Sequence, residues 1–267
     1  MTKPTAYHRP TTLDEALRTM AEPGAVALAG GALLFGTLES THDSIVDLQG
    51  VVELNQIEVN RSNVRIGAAV KLQAVIEHPD VLPIFKRALS RTLPLNLRNN
   101  TSVGETFLVD PPREWLAALM AIDAGIERAF PDGERMVDGL LSLLDGSARR
   151  PASKGFITAV EVPTLRAGEM LGSAFVARTP ADQPIVNAAV FARVDSNRTV
   201  EIAFAAIGGA SAQPVAALSL RSLEGNPLDE ANIASAVKQV AAQVDPLGDF
   251  LRCPVYAVKQ DCRSLGS

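Results

Sequence analysis

A chain of 267 residues is long enough to bury a sizeable core and to divide into two or three compact lobes, so it is not a small stapled module. Its 25 basic and 30 acidic side chains leave a formal net charge of −5 with no long run of either sign, which argues against a nucleic-acid partner. The cysteines, Cys253 and Cys262, are too few for a four-thiolate cluster and lack zinc-type spacing; they read as reduced thiols, with a disulfide as the alternative, and no metal ligand is assigned.

Residues 1–10 lack a signal-peptide core and no later apolar run has bilayer length, so the expectation is a cytoplasmic protein without a membrane span. His8, His42 and His78 are scattered without ligand spacing. Thr12-Leu13-Asp14-Glu15 has the form of a capping box, and Leu13, Ala16, Leu17 and Met20 follow at helical spacing. Pro23-Gly24 ends that helix, residues 25–29 suit a buried strand, and Gly30-Gly31 breaks it. A helix over 32–38 and a strand over 44–48 then give β-α-β connectivity, which favours parallel pairing, in a first lobe ending near Leu54.

Residues 57–59 and 64–66 alternate around a polar turn and predict an antiparallel hairpin. Helices are expected over 72–77, 82–89 and 115–122, with a long loop over 90–110. Residues 125–129 and 135–137, flanking Pro131-Asp132-Gly133-Glu134, read as a second hairpin, and 156–162 as a later strand. Residues 145–154 are polar and rich in breakers, predicting an exposed, mobile loop that carries Arg149-Arg150. Breakers recur over 165–172, paired strands are expected over 184–193 and 200–207, and Ile233, Val237, Val240 and Val244 mark a helix over 228–244. Gly208-Gly209 reads as a structural turn.

Two segments carry the chemistry: Ala29, Gly30, Gly31, Ala32, Leu33 and Leu34, and the stretch from Leu95 through Thr101, Ser102 and Gly104. Alone, a Gly-Gly after a strand is an ordinary tight turn. Together, the two resemble phosphate-cradling loops whose backbone N–H groups converge on an anion.

In this order and at this separation the loops resemble those of the FAD-binding (medium, flavoprotein) subunit of the molybdenum hydroxylase family, which includes carbon monoxide dehydrogenase-like and xanthine dehydrogenase-like enzymes. The resemblance spans nearly the whole chain. It opens on Tyr7, Pro10 and Ala16-Leu17 and continues through Ala29-Gly30-Gly31 and Leu33-Leu34, with Ala32 where the family carries threonine, serine or histidine. The second family signature falls on residues 97–107, where Arg98, Asn99, Ser102 and Gly104 keep its character. Thr101 and Glu105 stand in place of two glycines, and Thr106 in place of an asparagine. Pro111, Glu114 for an aspartate, and residues 119–124 follow the family pattern, as do Ile157, Phe175, Arg178, Asp182, Pro184 and Pro246. No lysine lies between Glu169 and Asp182, where relatives have one near the flavin ring.

The resemblance implies an α+β fold. A PCMH-type FAD-binding domain over 1–165 would comprise a small parallel β-α-β lobe, about 1–54, and a larger mixed or antiparallel lobe, 55–165. A C-terminal α+β domain with a small antiparallel sheet would cover 170–267. It also implies FAD as cofactor, with Ala29 to Leu34 and Thr101, Ser102 and Gly104 cradling the pyrophosphate, Thr106 and Glu114 as polar contacts, and Ile157 beside the ring. Partners would be an iron–sulfur small subunit and a molybdopterin large subunit, the chain passing electrons from the clusters through FAD to an external acceptor. The flavin does the redox chemistry, so no residue is assigned a catalytic role. Ala32 forgoes a hydrogen bond worth roughly 1.5–3 kcal/mol. A Glu105 carboxylate ~5 Å from a phosphate costs roughly 3 kcal/mol at an effective dielectric of ~20, unless it turns outward to solvent, Arg98 or Arg113. These departures define a second reading, a homologue that keeps scaffold and docking role but has weakened or lost FAD binding. A nicotinamide-dependent enzyme is disfavoured, since no Gly-x-Gly-x-x-Gly follows a strand.

Overall fold

The computed structural model describes residues 4–30, 44–107, 112–145, 147–148, 156–179, 184–209 and 215–243. Strands β1 to β7 are Ala6–His8, Ala25–Leu28, Ser44–Asp47, Ile57–Val59, Asn63–Gly67, Gly125–Ala129 and Arg135–Gly139. Strands β8 to β12 are Phe156–Pro163, Glu169–Val176, Val186–Val194, Val200–Gly208 and Val215–Ser219. Helices α1 to α7 are Leu13–Met20, Leu72–Glu77, Pro83–Thr92, Leu95–Arg98, Arg113–Ala121, Leu140–Asp145 and Glu230–Gln243. The chain forms two compact units, residues 1–81, 93–111 and 124–164 in one and residues 82–92, 112–123 and 165–267 in the other. Two helices from the first part of the chain, α3 and α5, thus belong with the C-terminal sheet.

The first unit holds two sheets. In the smaller, ordered β1-β3-β2, both pairings are parallel, as the expected β-α-β connectivity requires. Helix α1 starts on Thr12, whose Oγ1 accepts the Glu15 N–H at 3.3 Å, while Glu15 Oε2 accepts the N–H of Thr11 at 3.0 Å. The reciprocal arm of the capping box therefore reaches one residue further back than the sequence pattern indicates. Leu13, Ala16 and Leu17 are buried with Val46, Leu48 and Leu54 in one cluster.

The larger sheet is ordered β4-β5-β8-β6-β7 and is antiparallel throughout. The eight-residue β8 lies at its centre, with Thr158, Ala159 and Val160 buried. Gly133, at φ +84°, serves the β6–β7 turn in the left-handed region that glycine adopts without penalty. Several charged side chains in this unit are paired. Arg65 binds Glu127 through two bonds of 2.8 Å, Glu127 also accepts from Thr158 Oγ1 at 2.5 Å, and Arg128, 1% exposed, donates to Asp138 at 2.7 Å.

The second unit is an antiparallel sheet ordered β12-β11-β10-β9 with α3, α5 and α7. Helix α5 packs against β10 and β11, and each of its residues from 115 to 121 is buried. Trp115, fully buried, meets Phe85 of α3 edge to face at 5.5 Å between centroids. Ala236 and Val240 of α7 join the sheet's Val186, Ala188, Ala203 and Ile207 in a second core.

Several elements differ from expectation. Residues 90–110 are not one long loop: α3 runs to Thr92, α4 makes a single turn, and a 3₁₀ turn spans Gly104–Phe107. Strands β1, β9 and β12 and helix α6 were not anticipated, and β9 occupies part of the breaker-rich 165–172. The expected helix over 32–38, most of the 145–154 loop with Arg149-Arg150, His42, Cys253 and Cys262 lie outside the described residues. Among the described residues no helix is long and apolar enough to cross a membrane.

Opposite pH effects follow within the larger sheet. Arg65 holds the Glu127 carboxyl below its ordinary value of 4.5, so the stabilisation from this pair is fully present above that value and is lost as pH falls through the lower folded one. Burial, reinforced by the Glu127 charge, pushes Glu161 up, so its ionisation opposes folding once pH rises through that raised value. Glu127→Gln should lower stability at pH 7 by roughly 1.5–3 kcal/mol, and Glu161→Gln should raise it. Urea unfolding followed by circular dichroism tests both signs, and equal shifts in one direction would contradict this account.

Candidate functional site

The second candidate segment is fastened to the larger sheet through its backbone. Residues 68–71 continue from β5, and the Ala68 N–H donates to the Thr158 carbonyl of β8 at 2.8 Å. The Gly104 N–H donates to Ala68 O at 2.8 Å, the Val103 N–H to Val70 O at 2.9 Å, and the Leu72 N–H to Thr101 O at 3.0 Å. A strand-like strip thus sets the position of residues 101–104, with Val103 fully buried beneath it.

The sequence reading expected open N–H groups here; the structure has them engaged. Asn100 and Thr101 N–H both donate to Leu97 O, at 2.9 and 2.7 Å. The Ser102 N–H donates to Glu105 Oε2 at 2.8 Å, the Glu105 N–H to Ser102 Oγ at 3.4 Å, and the Thr106 N–H to Val103 O at 3.2 Å. Ser102-Val103-Gly104-Glu105 is therefore a reciprocal capping box on the turn Gly104–Phe107. Thr106 Oγ1 is also used, donating to Val103 O at 2.7 Å. Glu105, which the sequence allowed to escape outward, is 3% exposed and turned inward, and Thr101, Ser102 and Thr106 are fully buried.

The first segment is described only through Ala29 and Gly30; Gly31, Ala32, Leu33 and Leu34 lie outside the described residues. What is described meets the second segment. A Cβ built on Gly30 would overlap the Asn100 carbonyl oxygen and stand 2.5 Å from Glu105 Oε2, so only glycine permits this approach. Lys71 bridges the same two segments, its Nζ donating to Ala29 O at 2.6 Å and to Asn100 O at 3.2 Å. Sequence reasoning missed Lys71; the signal, a lone lysine between apolar residues 68–70 and 72, gives no hint of its distant partners. Burial pulls its ammonium below the ordinary lysine range, and the charges of Glu105 and Asp47 act against that pull.

Ile157 lies on β8 beside the buried Thr158, partly buried and paired in register with Arg128. Glu114 belongs to the second unit, in the first turn of α5. Its Oε1 stands 3.5 Å from Arg91 Nε, and the Arg91 guanidinium lies over the Phe175 ring at 3.4 Å. Burial pushes the Glu114 carboxyl up, with Arg91 opposing. Asn187 of β10 donates to the Arg113 carbonyl at 3.3 Å, tying the sheet to the start of the same helix. Among the described residues no group of His, Cys, Asp and Glu could hold a metal ion.

Two family models match the chain, "FAD binding domain in molybdopterin dehydrogenase" over residues 3–165 and "CO dehydrogenase flavoprotein C-terminal domain" over residues 174–256. The chain belongs to this molybdopterin dehydrogenase flavoprotein family, and its two-lobed α+β architecture is of the PCMH type. Among solved structures it is similar to carbon monoxide dehydrogenase from Hydrogenophaga pseudoflava, at 21% identity over 100% of this chain and 96% of that one, with a TM-score of 0.79. Quinoline 2-oxidoreductase from Pseudomonas putida 86 gives 22% identity over 99% and 96%, with a TM-score of 0.79. Reconstituted CO dehydrogenase from Oligotropha carboxidovorans gives 23% over 99% and 96%, with a TM-score of 0.78. These likenesses bear on the fold. Among curated proteins, no sequence matches the chain.

Lys71→Met removes two charge-assisted hydrogen bonds while relieving the desolvation of a half-buried ammonium. A net loss of about 1–2 kcal/mol is expected, measured as a lower urea midpoint. An unchanged midpoint would show that the bridge contributes nothing.

Proposed function

We propose that this chain is the flavoprotein-type subunit of a cytoplasmic molybdopterin-dependent dehydrogenase, assembled with an iron–sulfur small subunit and a molybdopterin large subunit, in which it keeps the scaffold and docking role while holding FAD weakly or not at all. The match of both parts of the family along the chain supports the subunit role. FAD, when bound in such an assembly, supplies the electron transfer from iron–sulfur clusters to an external acceptor.

The observation that carries the weak-FAD part is the buried carboxylate of Glu105 between the two loops, bonded to the Ser102 N–H. The second loop supports this reading: from Asn100 to Thr106 each N–H is taken by an internal acceptor. A carboxylate at that place repels a phosphate. One observation favours the second reading, an FAD-carrying electron-transfer subunit: at Gly30 the backbone meets the second loop with no room for a side chain, bringing the two candidate segments together.

Purification of the tagged full-length chain from its native cells separates these readings. Co-elution with two further subunits, iron and molybdenum, with substoichiometric flavin in the visible spectrum, is expected. Elution as a lone chain without either metal would overturn the subunit role, and stoichiometric flavin would replace the first reading with the second.

A further inference from the structure

The capping box of the second loop and the close approach at Gly30 meet at one atom, Glu105 Oε2. It accepts the Ser102 N–H at 2.8 Å, and a Cβ on Gly30 would come within 2.5 Å of it. The Lys71 ammonium, which joins Ala29 and Asn100, feels the Glu105 charge. A backbone amide, a glycine with no side chain and a half-buried cation are what an oxyanion site is made of. Here the oxyanion belongs to the protein.

We propose that the Glu105 carboxylate is a built-in anion, seated where the diphosphate of a dinucleotide would lie, and that it decides which ligands the loops at residues 29–30 and 100–105 accept. This rests on the reading above for the location of the cradle, and deepens it by resolving the exclusion into separable effects of that one side chain. With Glu105 in place the Ser102 donor is taken and the site already holds an anion beside the Lys71 cation, so nucleoside diphosphates are turned away. Two effects combine, occupation of the donor and repulsion by the charge, and different substitutions separate them. Glu105→Gln keeps an oxygen that can accept the Ser102 N–H and removes the charge. Glu105→Gly removes both and restores the residue type that the family signature carries at this point.

The same side chain stabilises the ligand-free protein, because its carboxylate accepts the Ser102 N–H, which would otherwise wait for a partner. Removing Glu105 therefore lowers the melting temperature of the free chain while opening it to anions. A side chain with only a structural role would produce the first effect without the second.

The test is titration of the full-length chain and both variants with ADP, followed by calorimetry, and with FAD, followed by flavin fluorescence. ADP carries the diphosphate without the isoalloxazine, so a gain seen with it is assigned to the cradle rather than to the ring. Glu105→Gln, which removes the charge alone, is expected to bind ADP and FAD on the order of 100-fold more tightly than the unaltered chain, and Glu105→Gly, which also frees the Ser102 donor, more tightly still. In parallel, ADP should raise the melting temperature of the variants and leave that of the unaltered chain in place. Should Glu105→Gly fail to fold, the Gln variant, which keeps the capping contact, decides the matter alone. Equal affinity of unaltered chain and folded variants for ADP would overturn the proposal. That ratio is independent of which subunits co-elute, so failure here leaves the assembly reading standing.

Discussion

The position of the candidate site depends on one constraint: a polar backbone segment with little apolar surface of its own must be satisfied by hydrogen bonds if it is to be buried. Residues 100–106 meet it by borrowing the order of the larger sheet. Strand β8 fixes Ala68 through Thr158, Ala68 and Val70 fix Gly104 and Val103, and Lys71 then reaches across to Ala29. Each link is a hydrogen bond, and only Val103 adds a large buried apolar side chain within the segment. The local geometry therefore follows the sheet, and a register change in β5 or β8 would reach the loop directly.

The two units solve the problem of the interior differently. The first admits charge and pairs it: Arg65 with Glu127, Arg128 with Asp138, and Lys71 with carbonyl oxygens under the field of Glu105. Such pairs contribute less than their Coulomb energy because both partners lose hydration, but breaking one leaves an uncompensated charge. The second unit builds its core from small and branched apolar residues. Ala188, Ala192, Ala203 and Ala205 pack with Val186, Ile207 and α7 in a layer that needs little polar pairing.

How far the sequence reads ahead of the structure depends on where the information lies. Helix α1, the β4–β5 and β6–β7 hairpins, β8, β10, β11 and α7 are marked by local periodicity and turn residues, and they form where the patterns place them. Strand β1 is three residues long with Tyr7 exposed, and it exists through its pairing with β3, which no local pattern reports. In β9 alternation is blurred by Gly172 and Ser173, and its breaker-rich approach hides a strand that pairs with β10 along its length. At the site, the glycine pattern identified Gly30 and the second loop as neighbours. The state of that loop was written in Ser102-x-x-Glu105, a capping signature that comparison with a glycine-rich motif obscures because it treats Glu105 as a loss.

Seen from the loop itself, Glu105 is also a gain. A cradle built to receive an anion must fold with its N–H groups facing water or empty space, which costs stability until the ligand arrives. Glycines at positions 101 and 105 would add conformational entropy to that cost. In this chain Thr101 and Glu105 restrict the backbone, Glu105 and Ser102 satisfy each other's N–H groups, and the Thr106 hydroxyl takes up the Val103 carbonyl. Of these contacts, the one that an external anion could replace is the Glu105 carboxylate on the Ser102 N–H. The substitutions are thus not independent blemishes on a glycine-rich motif: Glu105 and Thr106 close hydrogen bonds within the loop, and from Asn100 to Thr106 each N–H has an internal acceptor.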